Sequence, residues 1–428
     1  MDLPKPTNPF KHLSASDVRG IAQLATQATL GVARIVEGVH QSVWSGMGFP
    51  GGKEPGKTRG ITGLVYRSVG SVTQLLGASA NAALGRLEPL LGMAEGAAPE
   101  TPPREAVLAA LNGVLGDRLA ASGSPFATRM TLRYQGQLLD WQDMPPMPQA
   151  TGKLLLLIHG LCMNDLQWQT APRLLPGGTK DANGPRVFDH GGELASELGY
   201  TPIYLRYNTG LHVSQNGREL AAELEQLMAK WPTPIDELAV LAHSMGGLVI
   251  RSAVQCAREQ SLHWPGHLKQ LVFLGTPHHG APLERAGNWV DVLLGSTPWS
   301  RPFARLAQLR SAGITDLRYG HMLDGDWQGR DRFRRRPDNR RPFPLPQGIA
   351  CYAVAATLAA KRGLLADRLI GDGLVPLQSA LGRHEDPQRS LGFGKNSQHI
   401  AYRTNHMQLL NSPDVNRQIR QWLAPATD

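Results

Sequence analysis

One serine in this sequence stands in a setting that nucleophilic chemistry requires. Ala242-His243-Ser244-Met245-Gly246 lies between the apolar run LAVLA and the helical stretch GGLVIRSAVQCA. Small residues two before and two after a serine let a strand turn sharply into a helix, with the hydroxyl presented on a strained corner. Alanine at the first of those positions adds only one methyl group to the usual glycine. The pattern is short enough to arise by chance, so the strand-to-helix context carries the reading. A serine that merely caps a helix is the structural alternative.

Attack on an acyl carbonyl develops negative charge on its oxygen, and two backbone N–H groups are needed to meet it. One follows the nucleophile, at Met245. The segment LLLLIHGLCMND supplies the other at Leu161, where His159-Gly160 ends an apolar run and Gly160 frees the turn. His159 belongs to that turn, which argues against a role as base. Cys162 has no elbow around it and is set aside as a nucleophile. In this order of chemistry an acid and a histidine follow the serine. Gly371-Asp372-Gly373-Leu374-Val375-Pro376 offers Asp372, with Asp367, Glu385 and Asp386 as alternatives. Asp372 as a plain turn residue is the competing reading. The base is His406 in Thr404-Asn405-His406-Met407; His399 falls inside an expected strand and His384 in a charged loop.

These residues need a frame, and the grammar of the chain changes near Phe126 to provide one. Beyond it, short runs rich in Leu, Ile and Val alternate with helical stretches, the pattern of a doubly wound, mostly parallel α/β sheet. Expected strands are Thr128–Leu139, Lys153–His159, Pro202–Tyr207, Leu238–His243, Gln270–Gly275, Ile349–Ala355 and His399–Arg403. A last helix is expected over Ser412–Leu423. Residues 15–120 carry helical periodicity instead, with stripes from Val18 to Val43 and from Ile61 to Leu87 and a third helix over Arg104–Ala120. We therefore divide the chain into an N-terminal helical region, 1–125, and a catalytic domain, 126–428. Within the latter, 283–346 is too long for a simple connection and reads as a lid-like insertion. Its Trp289, Val290, Leu293, Leu294, Trp299 and Phe303 could face an acyl group or pack as core.

Composition removes several classes. With 428 residues, 41% of them hydrophobic and 18% charged, the chain is neither disordered throughout nor a disulfide-dense miniprotein. Three distant cysteines, Cys162, Cys256 and Cys351, argue for reduced thiols. No secretory leader and no run of about 18 apolar residues is visible, which makes the cytoplasm the expected compartment. The net charge of +9 is concentrated in RDRFRRRPDNRR, residues 330–341. That segment is broken by proline and poor in aromatics, so it reads as a solvated loop and no nucleic-acid partner is expected. His278-His279 lacks the further ligands that zinc wants, and no metal is expected there.

The motifs IHGLCMND, LAHSMGG, FLGTPHHGAP, GDGLVP and NHMQLL, in that order, resemble the serine esterase and lipase branch of the α/β-hydrolases over about residues 126–425. The alanine elbow is similar to that of compact Bacillus-type lipases. GTPHHGAP is similar to a loop of esterases like the GPI-inositol deacylases. The resemblance implies Ser244 as nucleophile, Asp372 as acid, His406 as base, and Leu161 and Met245 as oxyanion donors. Calcium-binding lipases carry an aspartate two positions after the histidine; here that residue is Gln408, and calcium is not carried over. The expectation is an enzyme cleaving a small-molecule or lipid carboxylic ester through an acyl-enzyme, with no cofactor. An acyltransferase or thioesterase would use the same residues, and a non-catalytic binding scaffold is the competitor from another class. Serine at the elbow excludes an aspartate-nucleophile dehalogenase or epoxide hydrolase. For the N-terminal helices, packing on the enzyme body is expected and peripheral membrane contact is the alternative; oligomeric state is left open.

Overall fold

Leu154 to Ile158 are wholly buried, as a strand must be when helices cover both faces of its sheet. In the computed structural model, which describes residues 100, 102–169, 188–281, 310–332, 338, 340–360 and 371–425, this run is the third of eight strands. They are β1 Thr131–Tyr134, β2 Gln137–Leu138, β3 Lys153–Ile158, β4 Thr201–Arg206, β5 Glu237–His243, β6 Leu268–Leu274, β7 Ala350–Thr357 and β8 Gln398–Tyr402. The sheet order is β2-β1-β4-β3-β5-β6-β7-β8. β1 runs antiparallel to β2 and β4, and every other pairing is parallel.

The longer helices are α1 Pro102–Ala121, α2 His190–Leu198, α3 Val213–Lys230, α4 Gly246–Glu259 and α5 Pro413–Leu423. Ser412 opens α5 by accepting from the Val415 N–H at 3.3 Å. α3 and α4 are amphipathic, with Leu220, Leu224, Leu248 and Val249 fully buried. A second apolar layer on the sheet gathers Trp168, Leu241, Val272, Val354, Leu409 and Ile419.

One expected strand is corrected. Thr128–Leu139 is not continuous: Gln135 at φ 50° and Gly136 at φ 79° form a two-residue turn that folds β2 back on β1. Both turn residues lie at positive φ, as the tight hairpin with right-handed strand twist demands.

The chain divides into two compact units, Met1–Thr101 with Leu119–Ala127, and Pro102–Arg118 with Thr128–Asp428. In the first, the Ser124 N–H donates to Leu119 O at 2.9 Å and closes the end of α1. Residues 102–118, which the sequence reading groups with the N-terminal helices, share the second unit with the sheet. The stripes of residues 18–87 and the acyl-facing set Trp289 to Phe303 lie outside the described residues. Among the described residues no helix is long and apolar enough to cross a membrane.

Candidate active site

The strand order contains one switch point. β3 is followed by β4 on one side and, after crossing back, by β5 on the other, so the carboxyl ends of β3 and β5 lie at the point where open α/β sheets hold their ligands. Ile158 pairs in register with Ala242, which sets His159-Gly160 beside His243-Ser244. Ser244 follows β5 at φ 52° and is buried. A non-glycine residue in the left-handed region stores on the order of 1–3 kcal/mol of strain, which the surroundings must enforce. The Ser244 N–H donates to Leu274 O at 2.8 Å and ties the corner to β6. A Cβ at Gly246 would meet His159 O, Ile158 O and Ile158 Cγ2, all at 2.8 Å, so α4 starts hard against the end of β3. A Cβ at Gly160 would lie 2.9 Å from Ser244 Cβ. The two glycines let the turn after β3 and the turn after β5 touch.

Leu161 and Met245, the residues expected to supply the two N–H donors, are both fully buried beside this contact. Their neighbours are fixed by polar bonds. The Tyr207 hydroxyl donates to His159 O at 2.9 Å, and the His159 ring stacks on Tyr207 with centroids 4.4 Å apart. Burial lowers His159 to about 4, and its Nδ1–H donates to Gly160 O at 2.9 Å. Cys162 is buried, and desolvation pushes its thiol up to about 12. A thiol so raised carries almost no thiolate at neutral pH.

Asp372 and His406 meet. His406 Nδ1–H donates to Asp372 Oδ2 at 2.6 Å, both side chains being about 1% exposed. The other oxygen, Oδ1, accepts from the N–H groups of Leu374 at 2.9 Å and Val375 at 2.8 Å. The His406 N–H also donates to Asp372 O at 3.1 Å, so backbone and side chain lock the pair. With its proton on Nδ1, the ring presents a lone pair at Nε2, which is buried without a partner among the described residues. A Cβ at Gly275, just past β6, would come within 3.0 Å of His406 Cε1, so the imidazole lies over the same sheet edge as Ser244. No hydrogen bond joins Ser244 to His406 among the described residues.

The alternatives are placed elsewhere. Asp386 caps a short turn by accepting from the Gln388 N–H, Glu385 is exposed, and Asp367 lies outside the described residues. His399 stays in β8, and the His384 ring stands 5.0 Å from that of His279. Arg332 and Arg340 of the basic run are engaged by Asp117 and Asp338, the latter at 2.8 Å.

His243 has no role in the elbow pattern itself. Its Nε2–H donates to His406 O at 3.1 Å, and its ring packs 4.6 Å from the His406 ring. Burial and the neighbouring His406 pull it well below its ordinary value, so it stays neutral behind the other imidazole. The apolar environment of residue 243, between a buried strand and a buried helix, was the available signal.

Residues 149–337 match the model of the PGAP1-like alpha/beta domain. No curated protein sequence matches the chain. Among solved structures, the mature lipase BlEst2 of Bacillus licheniformis is 16% identical with a TM-score of 0.39, covering 69% of this chain and 97% of that one. Lipase B of Aspergillus fumigatus is 11% identical with a TM-score of 0.36, over 67% and 54%. An alpha/beta hydrolase superfamily protein of Enterococcus faecalis is 14% identical with a TM-score of 0.33, over 69% and 94%. Residues 149–337, less than half of the chain, are thus similar to the PGAP1-like alpha/beta domain.

Proposed function

We propose that the protein is a serine hydrolase of carboxylic esters. The observation that carries this reading is the buried 2.6 Å bond between His406 Nδ1 and Asp372 Oδ2, with Ser244 held at positive φ on the same sheet edge. Ser244 Oγ attacks the acyl carbonyl as His406 Nε2 removes its proton. Asp372 keeps the Nδ1 tautomer and stabilises the imidazolium that forms. The oxyanion of the tetrahedral intermediate is met by the N–H groups of Leu161 and Met245. His406 then returns its proton to the leaving alcohol, and water, activated by the same ring, releases the acyl group from Ser244.

His406 Nε2 and Ser244 have no hydrogen bond in the resting molecule, and catalytic contacts of this kind commonly tighten only when substrate is bound. The substrate class we propose is a small-molecule or lipid ester, and the mechanism calls on no metal or cofactor. Labelling by a fluorophosphonate probe, followed by peptide mapping, should place the adduct on Ser244. Ser244→Ala should lose the adduct and lower ester hydrolysis on the order of 10⁴-fold or more, because the three residues act as a unit. Activity within tenfold of the parent would end the reading. Adding an alcohol or thiol acceptor to the assay separates hydrolysis from acyl transfer by its products.

A further inference from the structure

His278 and His279 leave the sheet on the loop after β6 and line a cleft of about 400 Å³, counting the solvent at its mouth. Neither Ser244, Asp372 nor His406 lines it. Four arginines do, namely Arg251, Arg340, Arg341 and Arg389, and Asp326 is the carboxylate of the lining. One of its oxygens, Oδ2, accepts from the N–H groups of Met322 and Leu323, each at 2.9 Å. Arg340 and Arg389 share Asp338, at 2.8 and 3.0 Å. Arg251 and Arg341 are left with no carboxylate among the described residues.

Arg251 is only 2% exposed, an extreme setting for a guanidinium without a counter-ion. One of its terminal nitrogens donates to the carbonyls of Phe343 and Pro344, and the other to His278 Nδ1 at 3.3 Å. A guanidinium N–H can only donate, so Nδ1 of His278 is the acceptor and the ring carries its proton on Nε2. That Nε2–H is buried with no acceptor among the described residues, and so is Arg251 Nε–H. Burial and the charge of Arg251 hold His278 well below its ordinary value, which makes it a neutral donor beside a charged one.

We propose that this cleft binds a phosphate group, with Arg251 and Arg341 as its charged donors and His278 Nε2–H as a neutral one. Donors arriving from α4, from the loop after β6 and from the 340–346 segment suit a tetrahedral anion with several acceptor oxygens better than a planar carboxylate. The phosphate could be free or borne on a lipid headgroup, and the site does not depend on the ester-hydrolase reading.

Calorimetric titration of the full chain with inorganic phosphate at fixed ionic strength, chloride replacing phosphate in the control, tests it directly. A parallel arm measures sedimentation with vesicles of phosphatidylglycerol in phosphatidylcholine. Saturable phosphate binding should weaken at least fivefold in Arg341→Ala, whose exposed side chain can be removed without disturbing the fold, and more in Arg251→Lys. If only vesicle binding falls in both variants, the phosphate arrives on a lipid. Absence of binding in both arms, or binding that Arg341→Ala leaves unchanged, overturns the site.

Discussion

A carboxylate that spends one oxygen on two backbone N–H groups has the other to offer an imidazole, and Asp372 is built that way. In Asp372→Asn the carbonyl oxygen would keep the Leu374 and Val375 donors, leaving an amide NH₂ against His406 Nδ1–H. Two donors cannot face each other, so His406 would move its proton to Nε2 and lose the lone pair that takes the serine proton in the proposed reaction. We expect kcat to fall on the order of 10⁴-fold with KM little changed. If Asp386→Asn had that effect and Asp372→Asn stayed within tenfold of the parent, the acid would be misassigned. The approach of Asp372 to His406 across 34 positions could be anticipated because glycines flank the aspartate and the histidine ends the next strand segment. The apolar surroundings of His243 signalled its burial, but neither its contact with His406 nor the setting of Arg251 could be read from the sequence. An arginine on a helix reads as solvated until contacts from a distant segment, Phe343 among them, bury it.

Contact between secondary-structure elements, rather than propensity, sets the corner at Ser244. In Gly246→Ala the added Cβ has three atoms at 2.8 Å, two of them backbone oxygens that cannot rotate aside. The start of α4 must then move off β3, at a cost of about 1–3 kcal/mol in urea denaturation. Because Met245 precedes that start, kcat should fall further than the stability loss accounts for; unchanged melting and turnover would contradict the packing described. The central strands β3 to β7 were legible because their runs are largely apolar on both faces, and the expected runs for β3 to β8 begin and end within two residues of the strands found. Their ends drift since register with a neighbour, not side-chain type, decides where pairing stops. The β1–β2 hairpin escaped for a different reason. Gln-Gly lacks the Asn-Gly or Asp-Gly signal of a two-residue turn, yet Gln135 still adopts φ 50°.

Across the whole molecule, buried neutral histidines make the fold sensitive to acid. His159 and His190 are lowered to about 4 by burial, and His243 and His278 are pulled well down. Above about pH 6.5 both folded and unfolded states hold these rings neutral, and nothing changes. Below it the unfolded chain takes up protons that the folded one refuses, so stability falls as pH drops from 6.5 towards 4. His159 and His190 alone contribute a loss on the order of 3 kcal/mol each by pH 4. The melting temperature should therefore be level from pH 7 to 8 and fall steeply below 6.5; a level value down to pH 5 would refute this. Removal of α1 tests the molecule from another side. Ala110 and Val114 on this helix are fully buried, and Glu105 pairs with buried Arg206 at 2.8 Å. The carbonyls of Glu105 and Gly116 accept from Asn164 and Asn208, each at 3.0 Å. Gly113 lies so close to Cys162 that a Cβ there would reach its Sγ at 2.2 Å. Cys162 and Asn164 belong to the turn that carries the Leu161 N–H, so α1 backs the site as well as the core. Deleting residues 1–122 should expose that apolar face, strip Arg206 of one carboxylate and loosen the turn. We expect aggregated or inactive protein by size exclusion and ester assay, in the absence of any lipid. A truncated chain that stayed monomeric and fully active, losing only its affinity for liposomes, would instead mark the whole N-terminal region as a membrane anchor.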